Sequence, residues 1–188
     1  MSVVLGPVLM VVGTPFAAGA GAIAGAVKGP SRAAVDKFES VLKTALADLP
    51  IQDMIQDRVS DGARQASVRL VLHSDHGPRR PDDEDSNYLT PSSGPVDTVL
   101  EVSVSSLYMV GETAYDPPAL LIRVRTRLVR VADGTTLYSH RLWYRSRPRS
   151  MDAWIARGGQ PFRDEVTRAC RLFAEKVVEE VFLRVVVR

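Results

Sequence analysis

The chain has 188 residues, with 24 Lys or Arg and 22 Asp or Glu side chains, so its formal net charge is +2. This balance argues against a dedicated nucleic-acid binder unless the charges are segregated on one surface. The single cysteine excludes an intrachain disulfide. The length allows one domain with an appendage.

Residues 1–29 form an apolar segment in which small residues recur at every fourth position. No charged side chain occurs from Ser2 to Val27, and about 20 apolar residues suffice to cross a bilayer core. Residues four apart share one helix face, and a face of small residues lets another helix approach closely. The spacing predicts a glycine-zipper helix that begins near Phe16, because Pro15 breaks the run. Its packing residues are Gly13, Ala17, Gly21, Gly25 and Gly29.

Two other interpretations of this segment remain open. It has the small residues of a signal-peptidase site, although no Lys or Arg precedes the apolar part. It is also compatible with a segment buried in the protein or packed between subunits. Gly29 and Pro30 end the pattern. We therefore expect two units, an assembly or membrane segment at 1–29 and a soluble domain at 30–188.

Apolar side chains at three- and four-residue spacing predict the helices of the soluble domain. Ser31 is a suitable N-cap for the first helix, and Pro50 separates it from the second. Gly158 and Gly159 close the connection before the last helix. The predicted helices are 31–49, 51–64 and 161–183, with one helical turn at 151–156.

Alternation of apolar and polar residues predicts four strands, at 67–73, 96–110, 119–131 and 135–147. Residues 76–95 separate the first two strands and contain four prolines together with the acidic run from Asp82 to Asp85. Such a composition cannot bury enough apolar surface to offset its ordering entropy. We expect a mobile surface loop there, with a solvated acidic run that lacks calcium-loop spacing.

The last two strands are predicted to form a hairpin around Asp133-Gly134. A three-residue loop from Ala132 to Gly134 would pair Val131 with Thr135. It would also place Leu128 opposite Tyr138, Val124 opposite Leu142, and Ile122 opposite Tyr144. This register makes one face consistently apolar, whereas a two-residue turn would mix the faces. We expect Gly134 to take the left-handed position of a bulged turn.

The opposite face of this hairpin is predicted to be basic. Like charges that face each other across strands are unfavourable, so this face needs counter-ions or an acidic partner. Asp97 and Glu101 on the neighbouring strand are candidate counter-ions; a second subunit, the chain's own acidic loop, an acidic protein or anionic lipid are the other candidates. The residues of this face are Arg123, Arg125, Arg127, Arg141, Trp143 and Arg145.

No catalytic, metal or cofactor constellation emerges from the sequence. Cys170 lies on the apolar stripe of the last helix, where a buried and inert thiol is expected. His73, His76 and His140 lack metal-ligand spacing. The Arg157–Gln160 stretch has neither a preceding strand nor the Lys-Ser/Thr pair of a phosphate loop. We therefore expect a non-enzymatic protein without a cofactor.

Three stretches carry a family resemblance: Val96–Val102, Leu128–Tyr138, and the approach to the last helix through Trp154, Phe162 and Ala174. They resemble bacterial envelope lipoproteins whose soluble domain is of the curli-secretion or TolB amino-terminal type, some of which carry a preceding glycine zipper. The resemblance implies scaffolding, secretion or transport accessory work in homo-oligomers. The acylated cysteine of such lipoproteins has no counterpart near the start of this sequence. Either this start is internal to a longer precursor, or the apolar run itself anchors the chain.

Together these patterns predict an α+β fold in which an antiparallel sheet of about four strands packs on amphipathic helices, preceded by the zipper helix. The leading functional hypothesis is a self-assembling, membrane-associated protein on the periplasmic side of the bacterial cell envelope. It would act as a pore, secretion or transport accessory subunit, with copies of itself, membrane lipid and an envelope protein as partners. The alternative is a soluble binding module whose basic face meets an acidic protein or anionic lipid. Nucleic acid is not an expected partner.

Overall fold

A computed structural model describes residues 8–13, 30–68, 70–72, 97–111 and 116–185. Within these residues, strands and helices occur in the order expected of an α+β protein, so the predicted fold class is confirmed. The strands are β1 (Val8–Gly13), β2 (Leu70–Leu72), β3 (Thr98–Val110), β4 (Ala119–Arg130) and β5 (Thr136–Arg145). The helices are α1 (Arg32–Ala47), α2 (Ile51–Gln65) and α3 (Met151–Val177), and α3 continues into a π-helix at Val178–Val185.

The described strands form one mixed sheet in the order β2-β1-β3-β4-β5. Strands β3, β4 and β5 are antiparallel neighbours, while β1 runs parallel to both β2 and β3. The predicted antiparallel sheet of about four strands is therefore corrected to a three-stranded antiparallel part extended by two parallel strands. The strand predicted at 67–73 is reduced to β2, which pairs with β1 rather than with the meander.

The added strand β1 lies in the apolar segment at 1–29, ahead of the zipper helix predicted to begin near Phe16. Its sequence, from Val8 to Gly13, is rich in valine, and a short continuous apolar run fits a parallel strand as well as a helix. Gly13, predicted as the first packing residue of the zipper, instead ends β1 opposite Ser103. Ala17, Gly21, Gly25 and Gly29 lie outside the described residues, so the zipper helix itself and the division at residue 29 stay predictions.

The hairpin of β4 and β5 has the register predicted from its apolar pattern. Leu128 pairs with Tyr138, Val124 with Leu142 and Ile122 with Tyr144. The register shifts by one residue beyond Leu128, so the predicted Val131–Thr135 pair is wrong. The Arg130 amide donates to the Thr135 carbonyl instead, at 2.8 Å. Gly134 has φ +69°, the left-handed conformation expected of it.

Helices α2 and α3 pack against the sheet, and α1 packs against α3. Ser31 caps α1 by accepting from the Ala34 amide at 3.3 Å, as predicted. The buried side chains of the sheet, including Leu100 and Ile122, share one core with those of the helices, including Ile55 and Phe162. The hydrophobic effect of this shared core holds the two layers together.

The last helix is interrupted at Gly158 and Gly159, as predicted from the sequence. Residues 156–159 leave helical geometry, and Arg157, Gly158 and Gly159 all have positive φ. A Cβ on Gly159 would lie 2.9 Å from the Ala45 Cβ, so glycine allows α1 and α3 to approach at this turn. Among the helices of the described residues, none is both long and apolar enough to span a membrane.

Candidate functional site: the basic face of the sheet

The predicted basic residues of β4 and β5 share the face of the sheet turned away from the helices. Arg125 pairs with Arg141 and Arg123 pairs with Trp143 across the two strands. Alternate residues on a strand point to the same face, and directly opposed residues lie side by side. The register therefore brings together the side chains that sequence analysis grouped as a candidate partner face.

The basic face is graded from buried to exposed along β4. Arg127 is buried beside Glu101, with 3.7 Å between Arg127 Nη1 and Glu101 Oε2. Arg125 is half-buried, and Arg123 is exposed with its guanidinium 5.6 Å from the centre of the Tyr108 ring. Glu101 is thus a counter-ion of the face, as expected, but its neighbour across the strands is Arg127 rather than Arg125.

The outer part of the face, on β5, is open to solvent. Trp143 is 74% exposed, the highest fraction among the large apolar side chains of the described residues. Arg141 and Arg145 flank it at two-residue spacing on the same strand and are also exposed. An exposed tryptophan between two guanidinium groups combines apolar area with charge-assisted hydrogen-bond donors, so this part of the face can bind a partner bearing carboxylate groups.

Two polar networks on the helix side of the sheet were missed by sequence reasoning. In the first, the Tyr138 hydroxyl donates to Glu180, and His140 Nδ1 lies 2.6 Å from the same carboxylate. Burial by itself would raise the pKa of Glu180, but the contacts with Tyr138 and His140 and the charge of Lys176 hold it below its usual value. This network ties β5 to the π-helix.

In the second network, the Tyr144 hydroxyl and Arg149 both donate to Glu165. Burial, followed by the neighbouring Glu165 carboxylate, raises the pKa of Tyr144 to about 12. Arg149 also stacks 5.0 Å from the centre of the buried Trp154 ring. The sequence contained a signal for both networks. Glu165 and Glu180 each stand three positions after a residue of the apolar stripe on the last helix, and residues three apart share a helix face.

The remaining candidates have structural explanations or lie outside the described residues. Cys170 is buried, and burial raises the pKa of its thiol to about 11, as expected of an inert core cysteine. His73, His76 and the acidic run at 82–85 fall outside the described residues. The residues that the structure describes contain no group of three or more potential metal ligands. The Arg157–Gln160 stretch is a left-handed turn between two parts of α3.

Comparison with known proteins gives no family assignment. No family model and no curated protein matches the chain. Solved structures with similar folds include a hypothetical protein from Chlamydia trachomatis, with 12% identity, a TM-score of 0.44 and 95% of each chain covered. Another is a minor lipoprotein from Acinetobacter baumannii, with 7% identity, a TM-score of 0.42, and 93% of this chain and 92% of that chain covered.

A third similar structure is lipoprotein GNA1162 from Neisseria meningitidis, with 12% identity and a TM-score of 0.40. The matched region covers 75% of this chain and 83% of that chain. Two of these three proteins are named as lipoproteins. Similarities at this level do not decide what the chain binds or does.

Proposed function

We propose that this chain is a non-enzymatic binding protein of the bacterial cell envelope that holds an acidic protein partner on the basic face of its sheet. The observation that carries this proposal is the 74% exposure of Trp143, which lies between the exposed Arg141 and Arg145 on β5. Tryptophan and arginine dominate the energetics of protein interfaces, because both combine a large contact area with polar groups.

The cross-strand pairing of Arg125 with Arg141 supports an anionic partner. The pairing sets two guanidinium groups side by side, and one carboxylate can accept hydrogen bonds from both. Both residues belong to a sheet, so they are presented without the ordering cost of a flexible loop.

A protein fits the open face better than lipid or nucleic acid does. Membrane-surface segments usually present several apolar side chains beside their basic ones. On β5, Trp143 is 74% exposed, and the other exposed large apolar side chain, Leu137, is only 38% exposed. Single-strand nucleic-acid binding needs several stacking platforms, and the net charge of the whole chain is only +2. Location in the envelope, on its periplasmic side, is supported by the uncharged start and by the family resemblance.

Charge reversal tests this proposal. Arg141→Glu should weaken binding of a labelled hexaglutamate peptide at least tenfold, measured by fluorescence anisotropy at fixed ionic strength. Lys37→Glu is the matched control, because it makes the same charge change at an exposed position on α1, on the helix layer. Equal weakening by both variants would reduce the effect to net charge and contradict the proposal. So would binding to phosphatidylglycerol vesicles without binding to the peptide.

A second candidate function is self-assembly in a membrane, as a pore, secretion or transport accessory subunit. The four-residue spacing of Ala17, Gly21 and Gly25 in an uncharged run favours it, since such a strip permits close helix contact. Replacing Gly21 and Gly25 by leucine should then abolish crosslinked oligomers in detergent. Crosslinking equal to that of the unchanged chain would eliminate this candidate, whatever the outcome for the basic face.

A further inference from the structure

The outer edge of β5 carries backbone groups whose direction follows from the hydrogen-bond pattern. The Ser146 amide donates to the Leu120 carbonyl at 2.9 Å, so these two residues form a hydrogen-bonded pair. Hydrogen-bonded and non-hydrogen-bonded pairs alternate along antiparallel strands. Because the register is unbroken as far as Leu128 and Tyr138, Leu142 and Tyr144 direct their backbone groups to β4.

The residues between them therefore direct their amides and carbonyls away from β4. These are Ser139, Arg141, Trp143 and Arg145, of which the last three also belong to the basic face. In the part of the chain that the structure describes, β5 has a paired strand on one side only. The same residues thus present both a row of backbone donors and acceptors and a row of basic side chains.

We propose that β5 is a docking edge to which an extended acidic segment of a partner protein adds as a further strand. This inference rests on the proposed function and specifies its partner. In strand addition, main-chain hydrogen bonds supply affinity and alternate side chains supply specificity. A partner strand antiparallel to β5 would place carboxylates beside Arg141 and Arg145 and an apolar side chain beside Trp143.

The other face of the added strand would lie beside Leu142 and Tyr144, on the helix side. Leu142 is buried and Tyr144 is half-buried, so an apolar residue is favoured opposite Leu142. Reading from Arg145 to Arg141, the matching segment is acidic, polar, apolar, apolar, acidic. Glu-Thr-Val-Val-Glu has this order.

A second copy of the chain is a poor occupant of this edge. Antiparallel pairing of β5 with itself around Trp143 would set Arg141 of one copy against Arg145 of the other. Charged side chains on edge strands commonly prevent such self-pairing. The charge pattern therefore selects a partner whose strand is acidic.

N-methylated peptides test the hydrogen-bonding part of the inference. A Glu-Thr-Val-Val-Glu peptide flanked by serines should bind, and N-methylation of its third residue, opposite Trp143, should weaken binding at least tenfold, because that amide faces β5. N-methylation of its fourth residue, opposite Leu142, should have a much smaller effect, because that amide faces outward. The isomer Thr-Glu-Val-Glu-Val, with its carboxylates on the helix side, should bind at least tenfold more weakly. Bound peptide should slow hydrogen exchange at the Arg141 and Trp143 amides.

The outcomes separate the edge from the basic face. If both methylated peptides bind equally while Arg141→Glu still abolishes binding, the basic face is used without strand addition, and this inference fails while the proposed function stands. If neither the peptide nor hexaglutamate binds, both fail. If hydrogen exchange at β5 slows because the protein dimerises without peptide, a second copy occupies the edge and the inference is overturned.

Discussion

At the residue scale, buried carboxylates of the C-terminal helical segment bind the polar groups of side chains from β5 and the residues after it. Tyr144 and Arg149 converge on Glu165, while Tyr138 and His140 converge on Glu180. A buried carboxylate is costly unless its oxygens accept hydrogen bonds. These contacts therefore join one face of β5 to the helix layer.

The raised pKa of Tyr144, about 12, predicts an alkaline loss of stability. A folded-state pKa above the unfolded value near 10 means that the unfolded state releases its proton first as pH rises. The contribution of Tyr144 is therefore fully present below pH 10 and is lost between pH 10 and about 12. Tyr144→Phe should cost about 1 kcal/mol at neutral pH, because it removes the hydrogen bond to Glu165.

Urea denaturation across this pH range measures the effect. The difference in unfolding free energy between the unchanged chain and Tyr144→Phe should shrink as pH rises above 10. Comparing the two chains at each pH cancels the other titrating groups, including Cys170. A difference that stays constant with pH would contradict the shifted pKa.

At the scale of the elements, α2 and the π-helix approach each other through a glycine. A Cβ on Gly62 would overlap Val178 Cγ2 and would lie 3.0 Å from Val178 Cγ1. In the sequence, Gly62 is only a residue of low helix propensity inside the predicted helix 51–64. Its packing role depends on the tertiary structure, because the close approach requires both α2 and the π-helix to be in place.

Gly62→Ala should therefore lower the free energy of unfolding by roughly 1–3 kcal/mol, as overpacking does. Alanine alone would favour the helix by about 1 kcal/mol, so a loss identifies the contact rather than helix propensity. Adding Val178→Ala should recover part of the loss, and a double-mutant cycle by urea denaturation measures that coupling. Stability equal to or above that of the unchanged chain would mean that the two helices are not in contact there.

At the scale of the whole molecule, β1 links the apolar start to the sheet. It lies between β2 and β3 and pairs with both. The sequence predicts that residues 1–29 and 30–188 are two separate units. With β1 in the sheet, residues 8–13 contribute main-chain hydrogen bonds to β3.

Removing residues 1–29 should therefore destabilise the remainder. We expect a lower urea midpoint and faster hydrogen exchange at the β3 amides, from Thr98 to Ser103, that face β1 in the full chain. Val11→Pro in the full chain is the point-substitution counterpart, because proline removes a backbone donor from an interior strand. If the chain 30–188 unfolds at the same urea concentration as the full chain, residues 1–29 form a separate module.

The sequence by itself determined the features that depend on local pattern: the helices, the β4–β5 register, the left-handed Gly134 and the grouping of Arg123, Arg125, Arg141 and Trp143 on one face. Period-two alternation and turn chemistry act between neighbouring residues, so they can be read without knowing the fold. Only the tertiary structure decided that β1 is a strand, that Glu165 and Glu180 are the partners of the tyrosines, and that the amides of Arg141 and Trp143 face outward. A short apolar run is compatible with a helix or a strand. The choice between them depends on pairing partners many residues away, and that pairing requires the intervening chain to close into a loop.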